Sequence, residues 1–172
     1  MEVEAHTNGV VEVAKAAPKW SLLLCDRDAV KKFWPTVIRP GLVRIKEKDK
    51  NSGYWQPEHV RQRLEAGLAG QIICECFLIL QSNKSTPVGF IVTQAFNDEF
   101  IGVPMYLHQW IIWCEGAPFW KVLPDIEPQM IERAKGFGLR GLTGISSRPQ
   151  WMRRVLRRGY RVHQYFFRKD FY

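Results

Sequence analysis

The sequence predicts one mixed α/β domain, with helices packed on a largely antiparallel sheet, and three observations predict it. Between Met105 and Tyr160 the order is strand, loop, helix, strand, helix, the pattern of a crossover unit. Ahead of it, Gln71–Gln81 and Val88–Phe96 are apolar runs joined by the polar turn Ser82–Pro87, as in a β-hairpin. Ahead of both lie two runs of helical periodicity.

The elements follow in chain order. Residues 1–19 are polar and Ala-rich and read as an N-terminal arm; residues 20–172 form the domain. Asp26 or Asp28 can cap a helix through Ala29–Trp34, which Pro35 bends or ends. An apolar face continues from Val37 to Ile45, interrupted at Pro40-Gly41, and Lys46–Ser52 is a solvated loop. Gln56-Pro57-Glu58 is a helix start, with Pro in the first turn and an acid at the positive end of the dipole. Val60, Leu64 and Leu68 follow at helical spacing, and Gly67 or Gly70 closes the run. After the hairpin come a strand at Met105–Glu115, a helix at Asp125–Phe137 and a strand at Leu142–Ser146. A basic helix, Gln150–Arg158, the turn Gly159-Tyr160 and a last strand at Arg161–Arg168 complete the order.

Composition narrows the function classes. The net charge of +8 favours an anionic partner: nucleic acid, a phosphate-bearing cofactor or an acidic protein surface. The excess is C-terminal, with eight Arg or Lys and no acid between Arg148 and Lys169. Four cysteines (Cys25, Cys74, Cys76, Cys114) follow no zinc or disulfide spacing and read as buried thiols, with Cys74 and Cys76 on one strand face. The start MEVEAHTNG is not a signal peptide, and no apolar run approaches the ~20 residues of a membrane span, so a cytoplasmic location is expected and membrane contact is not. Walker, HExxH and Ser/His/Asp patterns are absent, and His108, mid-strand on the face of Trp110 and Ile112, reads as a core histidine.

In order and spacing these elements resemble the GCN5-related N-acetyltransferase (GNAT) superfamily. PVGFIV on the second hairpin strand, ERAKGFGL at the crossover helix end and RRGYR after the basic helix carry the resemblance, which spans Arg27 to Lys169. It implies acetyl-CoA between the splayed central and following strands, near Trp113–Glu115 and Lys121, with Arg148 or Arg153 near the phosphates and Glu115 as general base. The chain departs from the family at two places. Where members carry a Gly-rich phosphate loop this chain has Gly116-Ala117-Pro118-Phe119-Trp120-Lys121; Pro118 lacks an N–H, and two large side chains follow. Where members carry a Tyr acid on the last helix this chain has Val155, and their Asn near the helix start falls near Arg148.

Trp-rich strand, EGAPFW and W-x-R-x-x-L-x-R-G-Y (Trp151–Tyr160) together are similar to GNAT-like proteins of tailed phages. The expectation built on these departures is a degenerate GNAT-fold binding module, a virion or assembly component in the host cytoplasm or the virion. It would bind no cofactor and would dock protein partners, or copies of itself, through Trp120, Arg153, Arg154, Arg157 and Arg158. The alternative is an active acetyl-CoA-dependent N-acetyltransferase acting on an amine, and a third reading is a basic nucleic-acid-binding protein.

Overall fold

A computed structural model describes residues 18–48, 55–84, 86–97, 104–144 and 149–161. Of the arm expected over residues 1–19, residues 1–17 lie outside the described residues, as does the expected last strand beyond Arg161. A five-stranded sheet runs in the order β1 (Trp20–Leu24), β2 (Cys74–Gln81), β3 (Gly89–Asn97), β4 (Pro104–Cys114), β5 (Gly141–Gly144). All neighbours are antiparallel except β4 and β5, which are parallel and joined by the crossover helix α4 (Phe119–Gly136). The mixed sheet and its order are those expected, with one strand added at the front. Trp20–Leu24 pairs with β2 from Gln81 back to Phe77, so among the described residues a strand precedes the first helix.

One face of the sheet is covered by the N-terminal helices. Asp26 caps α1 (Arg27–Phe33) by accepting the Ala29 N–H at 2.8 Å. Pro35 does not end this helix. The backbone widens into a π turn over Trp34–Ile38 and continues as α2 (Arg39–Lys48), so the proline is absorbed near the start of a new helical segment. Pro40-Gly41 likewise lies inside α2. Gly41 is required there, because a Cβ would stand 2.6 Å from both the Phe90 and Trp113 rings. The helix α3 (Pro57–Leu68) starts at Pro57 as the sequence predicts, and Val60 and Leu64 are buried with Ile38, Leu42, Leu78, Phe90 and Val92.

The opposite face is covered by α4. This helix begins six residues before the expected Asp125, and Pro124 and Pro128 lie within it on the exposed side. Each proline removes one helical hydrogen bond and crowds the carbonyl four residues back. Burial of Val122, Leu123, Ile126, Met130 and Ala134 against the sheet outweighs that cost. The Pro128→Ala variant is therefore expected to be more stable by about 2 kcal/mol. That is the interior proline penalty less the entropy proline removes from the unfolded chain, and urea unfolding measures it.

Candidate functional site

The sheet forks at β4. Val92 faces Ile111 but the next residue, Thr93, faces Gln109, so Trp110 is an extra residue, a bulge. β5 pairs with β4 only over Tyr106–Gln109 and stops where the bulge begins. A bulge bends its strand and ends regular pairing. Among the described residues, no strand pairs with Trp110–Cys114 on the β5 side. The backbone groups on that edge are open to an extended ligand.

The open edge runs into the helix α4. Glu115 is held to the hairpin by its N–H, which donates to the Val88 carbonyl at 2.7 Å. Gly116 turns the chain at φ +72° with open space where a Cβ would be. Burial pushes the Cys114 thiol up to about 11, against a hydrogen bond from the Ala117 N–H. Pro118 occupies the cap position and supplies neither a side-chain acceptor nor an N–H. Because the helix starts at Phe119, the Trp120 N–H lies in its first turn and lacks an intrahelical acceptor, whereas the Lys121 N–H returns to the Pro118 carbonyl at 2.9 Å. A helix N-terminus without a side-chain cap suits an anion. Those residues fit a diphosphate, with fewer donors than a glycine-rich loop would offer.

The basic helix α5 (Pro149–Leu156) reaches this terminus. The Arg154 guanidinium lies 4.0 Å over the ring of Trp120, which is 42% exposed. Trp120, Lys121 and Arg154 thus gather at one end of α4; Arg153 and Arg157 are exposed, and Arg148 lies outside the described residues. Arg158, read with the outer basic face, instead turns inward. Its Nε donates to the buried Glu127 carboxylate at 2.8 Å, and a second nitrogen bonds the same oxygen. Tyr160 joins this group through hydrogen bonds with Glu127 and Gln109, and burial, then the Glu127 charge, pushes its hydroxyl up. This cluster pins the end of α5 to α4 and to the last paired residue of the fork. The sequence carried one signal for it: Glu127 is an acid at the position between Leu123 and Met130 in the buried stripe of α4. On the same helix Leu156 is 41% exposed, and Val155 is half-buried.

Glu115 is exposed and ion-paired with Arg44 of α2. Arg44 and Lys48 both lie over the Trp113 ring, at 5.9 and 5.2 Å. A groove of about 320 Å³ runs beside them, walled by Phe33, Val37, Pro40 and Trp113. His108 is buried one residue before the end of the paired segment, opposite Gln94 and Thr143. Gln94 accepts from Arg63 of α3, so His108 faces the helices α1–α3, whereas Ile112 packs with α4. The bulge at Trp110 inverts the alternation and separates the two residues that period-two spacing puts on one face. Burial pushes His108 down to about 4, so its imidazole is neutral at pH 7.

No protein-family model matches the sequence, and no curated protein sequence matches it significantly. Solved structures do match, over nearly the whole chain. An acetyl transferase structure from Pyrococcus furiosus, described as putative, superposes with a TM-score of 0.62 at 14% identity, covering 88% of this chain and 99% of that one. An aminoglycoside N-acetyltransferase in complex with CoA gives 0.58 at 11%, covering 90% and 96%. A GNAT family acetyltransferase from Staphylococcus aureus gives 0.51 at 13%, covering 89% and 99%. Among the described residues, no helix is long and apolar enough to cross a membrane. At these identities the likeness is one of architecture, and the chain has the fold of the GNAT acetyltransferases.

Proposed function

We propose that this chain transfers an acyl group from a CoA thioester to an amine. One observation carries the reading: the open β4 edge leads directly into the uncapped start of α4, where Trp120, Lys121 and Arg154 gather. Trp120 would give its backbone N–H to the diphosphate, and Lys121 and Arg154 would give charge. Ile111–Cys114 would give backbone groups to the amides of an extended arm, as one strand does to another. When bound, the thioester supplies the acyl group, and its thiolate leaves as the amine takes that group.

The acid–base roles follow from position along β4. Glu115 stands at the phosphate end, about 20 Å along the strand from Gln109 at the apex of the fork. In this reading its pairing with Arg44 holds α2 against the loop. His108, next to the apex and neutral, would accept a hydrogen bond from the amine. Val155 cannot donate a proton, so the leaving thiolate takes its proton from solvent.

A second reading, a binding module of a phage virion, draws on Pro118, Val155 and the exposed Trp120–Arg154 stack, which suits a protein partner. Calorimetric titration with acetyl-CoA separates the two. The enzyme reading expects micromolar binding that Lys121→Ala weakens about tenfold, the loss of one charge-assisted contact. Silence at millimolar coenzyme rejects it and leaves the binding module.

A further inference from the structure

At the edge of the sheet away from the fork, three of the four cysteines come together. Cys25 follows β1 and precedes the Asp26 cap, while Cys74 and Cys76 lie on β2, and all three are buried in the cluster under α1–α3. The Cys25 N–H donates to the Cys76 carbonyl at 2.9 Å, so the ladder that pairs Leu24 with Phe77 goes on to set Cys25 opposite Cys76. Directly opposed residues of an antiparallel pair keep their Cα atoms about 4.5–5.5 Å apart, within the span of a disulfide. Both side chains are buried on the same sheet face, Cys25 at 4% and Cys76 at 2% exposed.

These thiols are buried but not sealed. Cys25, Cys74 and Cys76 line a solvent-open concavity of about 350 Å³ between β1, β2 and α3, with Asp26 on its wall. The close seating of α3 depends on Gly67, where a Cβ would stand 2.0 Å from the Cys74 carbonyl oxygen.

We propose that Cys25 and Cys76 form a thiol–disulfide exchange site that accepts small alkyl disulfides through this concavity. The neighbouring Cys76 thiol lowers Cys25, while that same contact and burial raise Cys76 well above the usual thiol range. Cys25 is therefore the attacking thiolate. It bonds to one sulfur of the disulfide RSSR and expels RS⁻, leaving Cys25–S–S–R. Cys76 gives up its proton, attacks Cys25 Sγ and expels the second RS⁻. Two protein thiols are oxidised, RSSR is reduced to two RSH, and both protons end on the released thiols. The new bond ties the start of α1 to β2. The inference does not depend on the acyltransferase reading.

The test uses the full native chain and cystamine, whose ammonium groups suit Asp26 at the wall. After exposure, remaining thiols are alkylated and the chain is digested at acid pH for mass spectrometry. The expected product is a Cys25–Cys76 linked peptide, two hydrogens lighter than the reduced pair, with Cys74 and Cys114 alkylated. In Cys76→Ser the adduct is expected to persist on Cys25. Attack governed by exposure alone would modify Cys114 first, because it is the least buried of the four. That result, any other pairing, or full alkylation of Cys25 and Cys76 would overturn the proposal.

Discussion

Phe90→Ala is expected to destabilise the fold by about 3–5 kcal/mol in urea or guanidinium unfolding. Phe90 is fully buried on β3, opposite Trp113 and Leu78, in the core between the sheet and α2. Its ring and that of Trp113 fill the space that a side chain at 41 would need. The two positions should therefore couple. Alone, Gly41→Ala gains about 1 kcal/mol of helix propensity but overpacks the core at a cost of about 1–3 kcal/mol, for a net loss. In the Phe90→Ala background one of the two clashing rings is gone, and the same substitution should cost about 1 kcal/mol less. Additive losses would mean that α2 does not seat on Phe90 as described.

Stability is expected to fall by roughly 3 kcal/mol between pH 6.5 and pH 4 through His108 alone. Burial holds its folded value at about 4, below the ordinary 6.5. Between those values the unfolded chain binds more protons, so stability rises with pH across that window. The contribution is complete above pH 6.5 and is lost as pH falls towards 4. Replacing His108 with Gln removes the titrating group and should flatten the curve over the same range. An unchanged slope in His108→Gln, measured by urea unfolding at each pH, would show that another group carries the acid sensitivity.

How much of this could be read in the sequence depended on whether local signals decided the outcome. Pro57-Glu58 announces α3, and the alternating runs around Ser82–Pro87 announce the hairpin, because a proline or a turn acts on its own neighbours. Trp20–Leu24 does not alternate, and becomes a strand by pairing with β2 nearly sixty residues later. The expected start at Asp125 leaves Phe119–Pro124 out of the helix, yet α4 runs through Pro124 and Pro128 because its opposite side is buried. That early start moves the helix N-terminus to the end of β4, where the sequence alone showed only a loop poor in glycine. At the fork, one bulge residue reversed the facing of His108, and period-two counting has no means of placing a bulge. Arg158 was grouped with its neighbours by helical spacing, but it lies past the end of α5, where the turn at Gly159 directs it to Glu127.

Amide hydrogen exchange with and without acetyl-CoA tests most directly whether the fork and the start of α4 hold a coenzyme. The account expects slowed exchange confined to Ile111–Cys114 and Trp120 when the ligand is added, with β1 and β2 unchanged. Protection elsewhere with none along that edge, or no change at millimolar ligand, would contradict it.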